Sequence, residues 1–201
     1  ILDNLIGAMY SRKTVAIREL IQNAIDACIL QQVLEDDYDP KIEIILDNET
    51  LVVRDNGRGM SLDIIKNYLK VLGKSYYKSN DLAGVLKNFI TSPDFIAEFG
   101  LGIFSYFLLA KSFTIYTRHR EIKSDMSSNQ WHKIEFTRGF CLIEKTPKPD
   151  IGFDYGTVVQ IKLNQDIIDI LTYYFKYQIH LDIVRPRIPI SCRISDSSKP
   201  I

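Results

Sequence analysis

Cysteine is scarce in this chain, and its spacing excludes more than its number. Cys28, Cys141 and Cys192 lie far apart with no Cys-x-x-Cys pair, which leaves neither a zinc knot nor a disulfide framework and implies a reducing, cytoplasmic setting. An excess of one charge is also missing. Lys+Arg and Asp+Glu both count 25, so nothing steers the chain toward nucleic acid or an anionic membrane. The longest uncharged apolar run, Leu101 to Ala110, falls far short of the ~20 residues a membrane helix needs. No signal-peptide pattern and no internal repeat appear. A starting methionine is lacking too: the chain opens at Ile1 inside an apparent helix, and the expectation is a piece of a longer protein.

What is present is ordinary globular material. With 201 residues, 46% apolar and 25% charged, residues 1–201 fit one large domain with a real core. Apolar residues recur at helical spacing from Asn4 to Gln32, and the pattern predicts two helices broken near Ser11. Lys41 to Asp47 alternates and is followed by a turn-like Asp47-Asn48-Glu49 and then Thr50 to Arg54, a β-hairpin that ends at Asp55. Ser61 to Leu69 reads as helix with Ser61 as its cap. From Gly73 to Phe99 the pattern weakens, and so long a stretch in a compact domain reads as a mobile lid or binding loop. Beyond it a buried helix is expected over Ile103 to Ala110, with strands over Phe113 to Arg118, Trp131 to Thr137, Phe140 to Lys145 and Thr157 to Leu163. Asp166 to Gln178 is helical, and Ile188 to Ile194 is a final strand. Directly connected hairpins with grouped helices favour an α+β sandwich over a doubly wound parallel sheet.

Chemistry concentrates in a few short segments. In Arg18-Glu19-Leu20-Ile21-Gln22-Asn23-Ala24-Ile25-Asp26, helical spacing puts Glu19, Asn23 and Asp26 on one stripe beside the apolar Leu20, Ala24 and Ala27. A carboxylate held there can orient a water, and an Asn oxygen suits Mg²⁺; the same pattern also describes an amphipathic helix with surface polars. Asp55-Asn56-Gly57-Arg58-Gly59-Met60 follows a strand. An Asp at a buried strand end needs a donor, which an adenine amine supplies, while the glycines let a flat ring approach and Met60 adds an apolar contact. A plain Asp-x-Gly-x-Gly turn is the alternative. Glu98-Phe99-Gly100-Leu101-Gly102-Ile103-Phe104-Ser105 runs glycines into a helix, a place where backbone N–H groups can hold phosphate. Gly73-Lys74-Ser75 adds a cation and a hydroxyl for the same phosphates. Thr157 opens a strand with a hydroxyl within reach of a nucleotide base or a water beside Asp55, or it is an ordinary β residue.

Taken in order, Glu19-x-x-x-Asn23-x-x-Asp26-Ala27, Asp55-x-Gly57-x-Gly59-Met60, Gly100-x-Gly102-x-x-Ser105 and the late Gly156-Thr157 strand resemble the nucleotide-binding motifs of the GHKL superfamily of gyrase, heat-shock chaperone, histidine kinase and MutL ATPases. The likeness is sharpest to the N-terminal domain of the ninety-kilodalton heat-shock chaperones, through Arg18 to Ala24, Gly73-Lys74-Ser75 and Phe99 to Ser105. The resemblance implies a Bergerat-type α/β sandwich with a mixed, mostly antiparallel sheet, ATP or ADP as ligand, and Mg²⁺. It implies that Glu19 is the general base and Asn23 the Mg²⁺ ligand, that Asp55 accepts the adenine amine with Gly59 and Thr157 in support, and that Lys74 and the Gly100 to Gly102 backbone hold the phosphates. Asp26, Met60, Ser75, Phe99, Leu101, Ile103 and Phe104 complete the expected nucleotide site. The lid would span about 73–102 and hinge over Ile96 to Phe104.

The sequence departs from that family at several points. Ala97 stands where the hinge has glycine, a tandem Asn pair reads Asn67-Tyr68, and Asn56 occupies a place that the chaperones often give to Thr. By resemblance the partners are adenine nucleotide, downstream domains that supply a catalytic arginine, a second copy in a full-length homodimer, and client proteins. The competing functions are a chaperone-like ATPase with a closing lid, a non-chaperone GHKL ATPase in nucleic-acid remodelling or defence, and an ATP-sensing module without turnover. A pure sensor has no need of Glu19.

Overall fold

In the computed structural model, residues 13–71, 74–87, 95, 102–120, 130–150, 153–177 and 188–195 are described. A long helix, α1 (Lys13–Leu34), precedes the hairpin of β1 (Ile42–Asp47) and β2 (Thr50–Asp55). The two-residue turn between them puts Asn48 at φ 48°, a left-handed conformation that Asn tolerates better than most side chains. Ser61 accepts from the Ile64 N–H and starts α2 (Leu62–Ile64), which widens into a π turn over Ile65–Leu69. The chain continues through α3 (Asn80–Leu86), β3 (Ser112–Arg118), β4 (Trp131–Thr137), β5 (Cys141–Thr146), β6 (Gly156–Lys162), α4 (Gln165–Tyr177) and β7 (Ile190–Ser195).

The seven strands form one sheet in the order β5-β4-β3-β6-β2-β1-β7. All the pairings are antiparallel except that of β1 with β7, so the fold is α+β with a mixed, mostly antiparallel sheet, as expected. Alternation sorts its two faces. Ile42, Ile44, Leu51, Val53, Ile115, Ile134 and Ile161 point into the main core, where α1 contributes Ile17, Leu20, Ile21, Ala24 and Cys28 and α4 contributes Ile167, Leu171 and Tyr174. On the other face Trp131 and Val158 form a smaller buried cluster with Val52, Tyr116 and Phe153 packed around it.

Three expectations need correction. The weakly patterned region after Gly73 contains a 3-10 turn over Tyr76–Lys78 and then α3; Ser79 caps α3 by accepting from the Leu82 N–H, and the buried Leu82 anchors it. The buried helix expected over Ile103 to Ala110 is instead a 3-10 segment, Gly102–Leu108. Its first turn is tied by the Ser105 hydroxyl, which donates to the Gly102 carbonyl at 2.5 Å. Lastly, Phe140 is an exposed turn residue rather than the start of β5. The first predicted helix, the Ile96 to Leu101 part of the hinge and the break near Ser11 lie outside the described residues.

Candidate functional site

One cleft lies between α1, the inner ends of β2, β3 and β6, α2 and the chain that follows residue 74. Of the residues singled out from the sequence, it brings together Glu19, Asn23, Asp55, Gly59, Met60, Lys74, Ser75, Gly102, Ile103 and Thr157. Asp26 is fully buried within α1 and Phe104 packs against the core; neither lines the cleft. Phe99, Gly100 and Leu101 lie outside the described residues.

At the floor of the cleft Asp55 ends β2, only 4% exposed. Its Oδ1 accepts the Gly57 N–H at 2.9 Å, and the Thr157 backbone also supports it. Burial wins over both bonds and pushes the carboxyl up to about 7. The loop that follows is held very close to its surroundings. A Cβ on Gly57 would meet the Ala27 carbonyl carbon at 2.6 Å, and the Arg58 N–H donates to that residue's oxygen at 3.1 Å. Asn56 has a separate, structural task. Its Oδ1 accepts from the Tyr38 hydroxyl and the Lys41 N–H at 2.8 and 2.7 Å, while its Nδ2 donates to the Asp39 carbonyl. That set of bonds gives the amide at this position a structural role, with its oxygen and its nitrogen reaching separate partners.

On the α1 wall, Glu19 and Asn23 sit one turn apart. Burial raises the Glu19 carboxyl, opposed by Arg18, and Asp26 adds to the rise. Gly102 provides the space: a Cβ there would lie 2.2 Å from Glu19 Oε2, so any larger residue displaces the carboxylate. Asn23 Nδ2 donates to the Tyr106 hydroxyl at 2.9 Å, which fixes the amide and leaves its oxygen without a partner among the described residues. A hard cation prefers such an oxygen, and Mg²⁺ characteristically takes few protein ligands and keeps its waters and phosphate oxygens. The residues present therefore fit that ion, although no three His, Cys, Asp or Glu side chains among the described residues gather into a metal cage.

Several lining residues escaped the sequence reading. Tyr68, Tyr76, Tyr77 and Tyr106 line the cleft together with Arg58. Tyr76 meets Tyr68 edge-on at 5.4 Å, and Tyr77 lies against Phe95 with ring centres 4.6 Å apart. Burial raises the Tyr77 hydroxyl, helped by the nearby Asp26 and Asp55. Thr117, fully buried, accepts the Met60 N–H at 2.9 Å and lies 3.1 Å from the Thr157 hydroxyl. The adjacent Tyr76-Tyr77 pair, next to Gly73-Lys74-Ser75, was the available signal; Thr117 gave none, being a normal strand residue.

A buried carboxylate at a strand end, a carboxylate and an amide one turn apart on the facing helix, and a glycine fitted against that carboxylate define an ATPase-type domain. The comparison with known families agrees. Residues 10–160 match the family described as Histidine kinase-, DNA gyrase B-, and HSP90-like ATPase, and the chain belongs to it. Among curated proteins it is similar to chaperone protein HtpG of Buchnera aphidicola subsp. Cinara cedri, 32% identical over 91% of this chain and 31% of that protein. HtpG of Geobacter sulfurreducens is 28% identical over 94% of this chain and 31% of its own length, and HtpG of Bacillus licheniformis is 32% identical over 83% and 26%. The chain thus spans about a third of the length of these relatives. Among the described residues no helix is long and apolar enough to cross a membrane.

Proposed function

We propose that this domain binds Mg·ATP in the cleft and hydrolyses it slowly, as the nucleotide switch of a chaperone-like protein. The observation that carries the reading is the meeting of Asp55, Glu19 and Asn23 in one cleft with Lys74, Ser75 and Thr157 around them. Asp55 accepts the exocyclic amine of adenine, and Gly59, Met60 and Thr157 bound the ring. Lys74 and Ser75 face the phosphates. Asn23 holds the metal, whose contribution when bound is to neutralise phosphate charge. Glu19, made more basic by burial, takes the proton of the attacking water. The similarity to HtpG supports the chaperone reading over a remodelling or defence ATPase, and clients, dimerisation and a cytoplasmic location are proposed on the same ground.

The test pairs two variants. By calorimetry Asp55→Asn should lose about 1.5–3 kcal/mol of ADP binding, the usual worth of a hydrogen bond to a charged group. In the same preparations Glu19→Ala should bind ATP normally but release phosphate ~10² to 10⁴ times more slowly. Normal affinity in Asp55→Asn would remove the adenine assignment. Undiminished phosphate release by Glu19→Ala would remove the base, and ATP binding with no release by the wild type would leave a sensor.

A further inference from the structure

Two side chains of α1 and two residues of the 3-10 segment Gly102–Leu108 meet in matched pairs. Glu19 and Asn23 stand one turn apart on α1, and Gly102 and Tyr106 have the same sequence spacing on the segment. Gly102 lies against Glu19, where an added Cβ would come within 2.2 Å of Oε2. Tyr106 meets Asn23, whose Nδ2 donates to the phenol oxygen at 2.9 Å. One short segment therefore touches both the proposed base and the proposed metal ligand. The phenol oxygen is firmly placed. Tyr106 is only 2% exposed, and its ring meets Phe113 edge-on with centres 5.2 Å apart, while Phe113 stacks on Phe136 at 4.9 Å. Its carbonyl accepts from the Leu109 and Ala110 N–H groups at 3.0 and 3.3 Å.

An Asn amide without a fixed partner turns over at little cost, because its two ends have nearly the same shape. A metal ion distinguishes those ends sharply: the oxygen is a ligand, whereas the nitrogen presents hydrogens. What the amide nitrogen bonds to therefore decides what the oxygen can do. Asn23 lines the cleft, and its nitrogen is taken by a group that the core holds still. The chemistry of that group matters as well. A carboxylate could accept from Nδ2 equally well, but it would add negative charge beside Glu19, whose carboxyl burial already raises. A phenol hydroxyl, neutral at physiological pH, orients the amide without that charge.

We propose that Tyr106 is a positioning residue for the metal: it acts through Asn23, holding the amide so that Oδ1 is presented to the ion. The proposal rests on the Mg·ATP reading of the cleft. Removing an outer partner of this kind typically costs about ten- to a hundredfold in metal affinity. Tyr106→Phe deletes the oxygen and keeps the ring, so its melting temperature should stay near that of wild type. ADP affinity is measured by calorimetry on the 201-residue chain, once with Mg²⁺ and once with a chelator. Wild type should bind more tightly with Mg²⁺. Tyr106→Phe should match it in chelator and bind about tenfold more weakly with Mg²⁺. In the Asn23→Ala background the same substitution should change nothing, since the amide it orients is gone. A full Mg²⁺ gain in Tyr106→Phe would overturn the proposal, and a larger gain would mean that the hydroxyl donates to Asn23 Oδ1 and competes with the ion. Equal weakening with and without Mg²⁺ would also overturn it, leaving Tyr106 a packing residue. Wild type that binds ADP with no Mg²⁺ gain would remove Asn23 as the ligand, and wild type that binds no ADP would remove the nucleotide reading; either result takes the proposal with it.

Discussion

Asp55 stands in the cleft with a carboxyl pushed up to about 7 by burial, and that has two consequences with opposite signs. Between its ordinary 3.8 and about 7, the folded chain keeps a proton that the unfolded chain has shed, so raising the pH through this window lowers folding stability. Binding behaves the other way, because an amine donor favours the ionised carboxylate. Adenine nucleotide affinity should therefore rise with pH and level off above about 7. The groups around Asp55, namely Cys28, Tyr38 and Tyr77, are all raised and stay neutral over that range, while Glu19, raised by burial on the facing wall, is the other carboxyl of the cleft. Calorimetry across pH should show the rise in wild type and a weaker pH dependence in Asp55→Asn. At the opposite wall, Gly102→Ala would put a methyl 2.2 Å from Glu19 Oε2. The side chain can swing away at small cost to the fold, but the proposed base is then misplaced. Phosphate release should fall about 10²-fold with nearly unchanged melting temperature, as a displacement of about 1 Å can cause; unchanged release would separate Glu19 from the reaction.

Among the elements, the segment from Lys74 to Tyr77 leads into α3 and borders the cleft. Lys74, Ser75, Tyr76 and Tyr77 line it, and Leu82 is the buried anchor of α3. We propose that this segment is the lid and tightens on a triphosphate. Amide exchange over residues 76–86 should slow with a non-hydrolysable ATP analogue and should slow less with ADP; equal exchange with and without the analogue would count against a lid. Elements were legible in the sequence where a face decides the pattern. The β1–β2 hairpin, β3, β4, β6 and α4 fall within a residue or two of their expected places because each alternates or repeats against one core. The register of Asp55 with Thr157 was not legible, since long-range pairing leaves no local mark. Over the lid the signal fails for another reason: α3 buries one leucine, and one apolar contact cannot write a helical period. Gly102–Leu108 failed differently, because an almost continuous apolar run does not separate 3-10 from α geometry.

For the whole molecule, the motifs pointed to most of the residues that line the cleft. The similarity to proteins about three times as long bears on turnover. We propose that the isolated domain binds nucleotide well and turns over poorly, since a charge-stabilising arginine supplied from elsewhere is worth about 10³ or more in phosphoryl transfer. Phosphate release should rise steeply when the domain is joined to the downstream region of its natural chain, and an unchanged rate would mean that these residues suffice.

β7 runs parallel to β1 along six paired residues, from Ile42–Ile190 to Asp47–Ser195. Tension applied beyond Ser195 along the strand therefore loads the ladder in shear, with its hydrogen bonds sharing the force at once rather than parting one after another. β1 passes that load straight to β2, the strand that ends at Asp55. A mechanical pull on the rear of the sheet has a stiff route to the floor of the cleft.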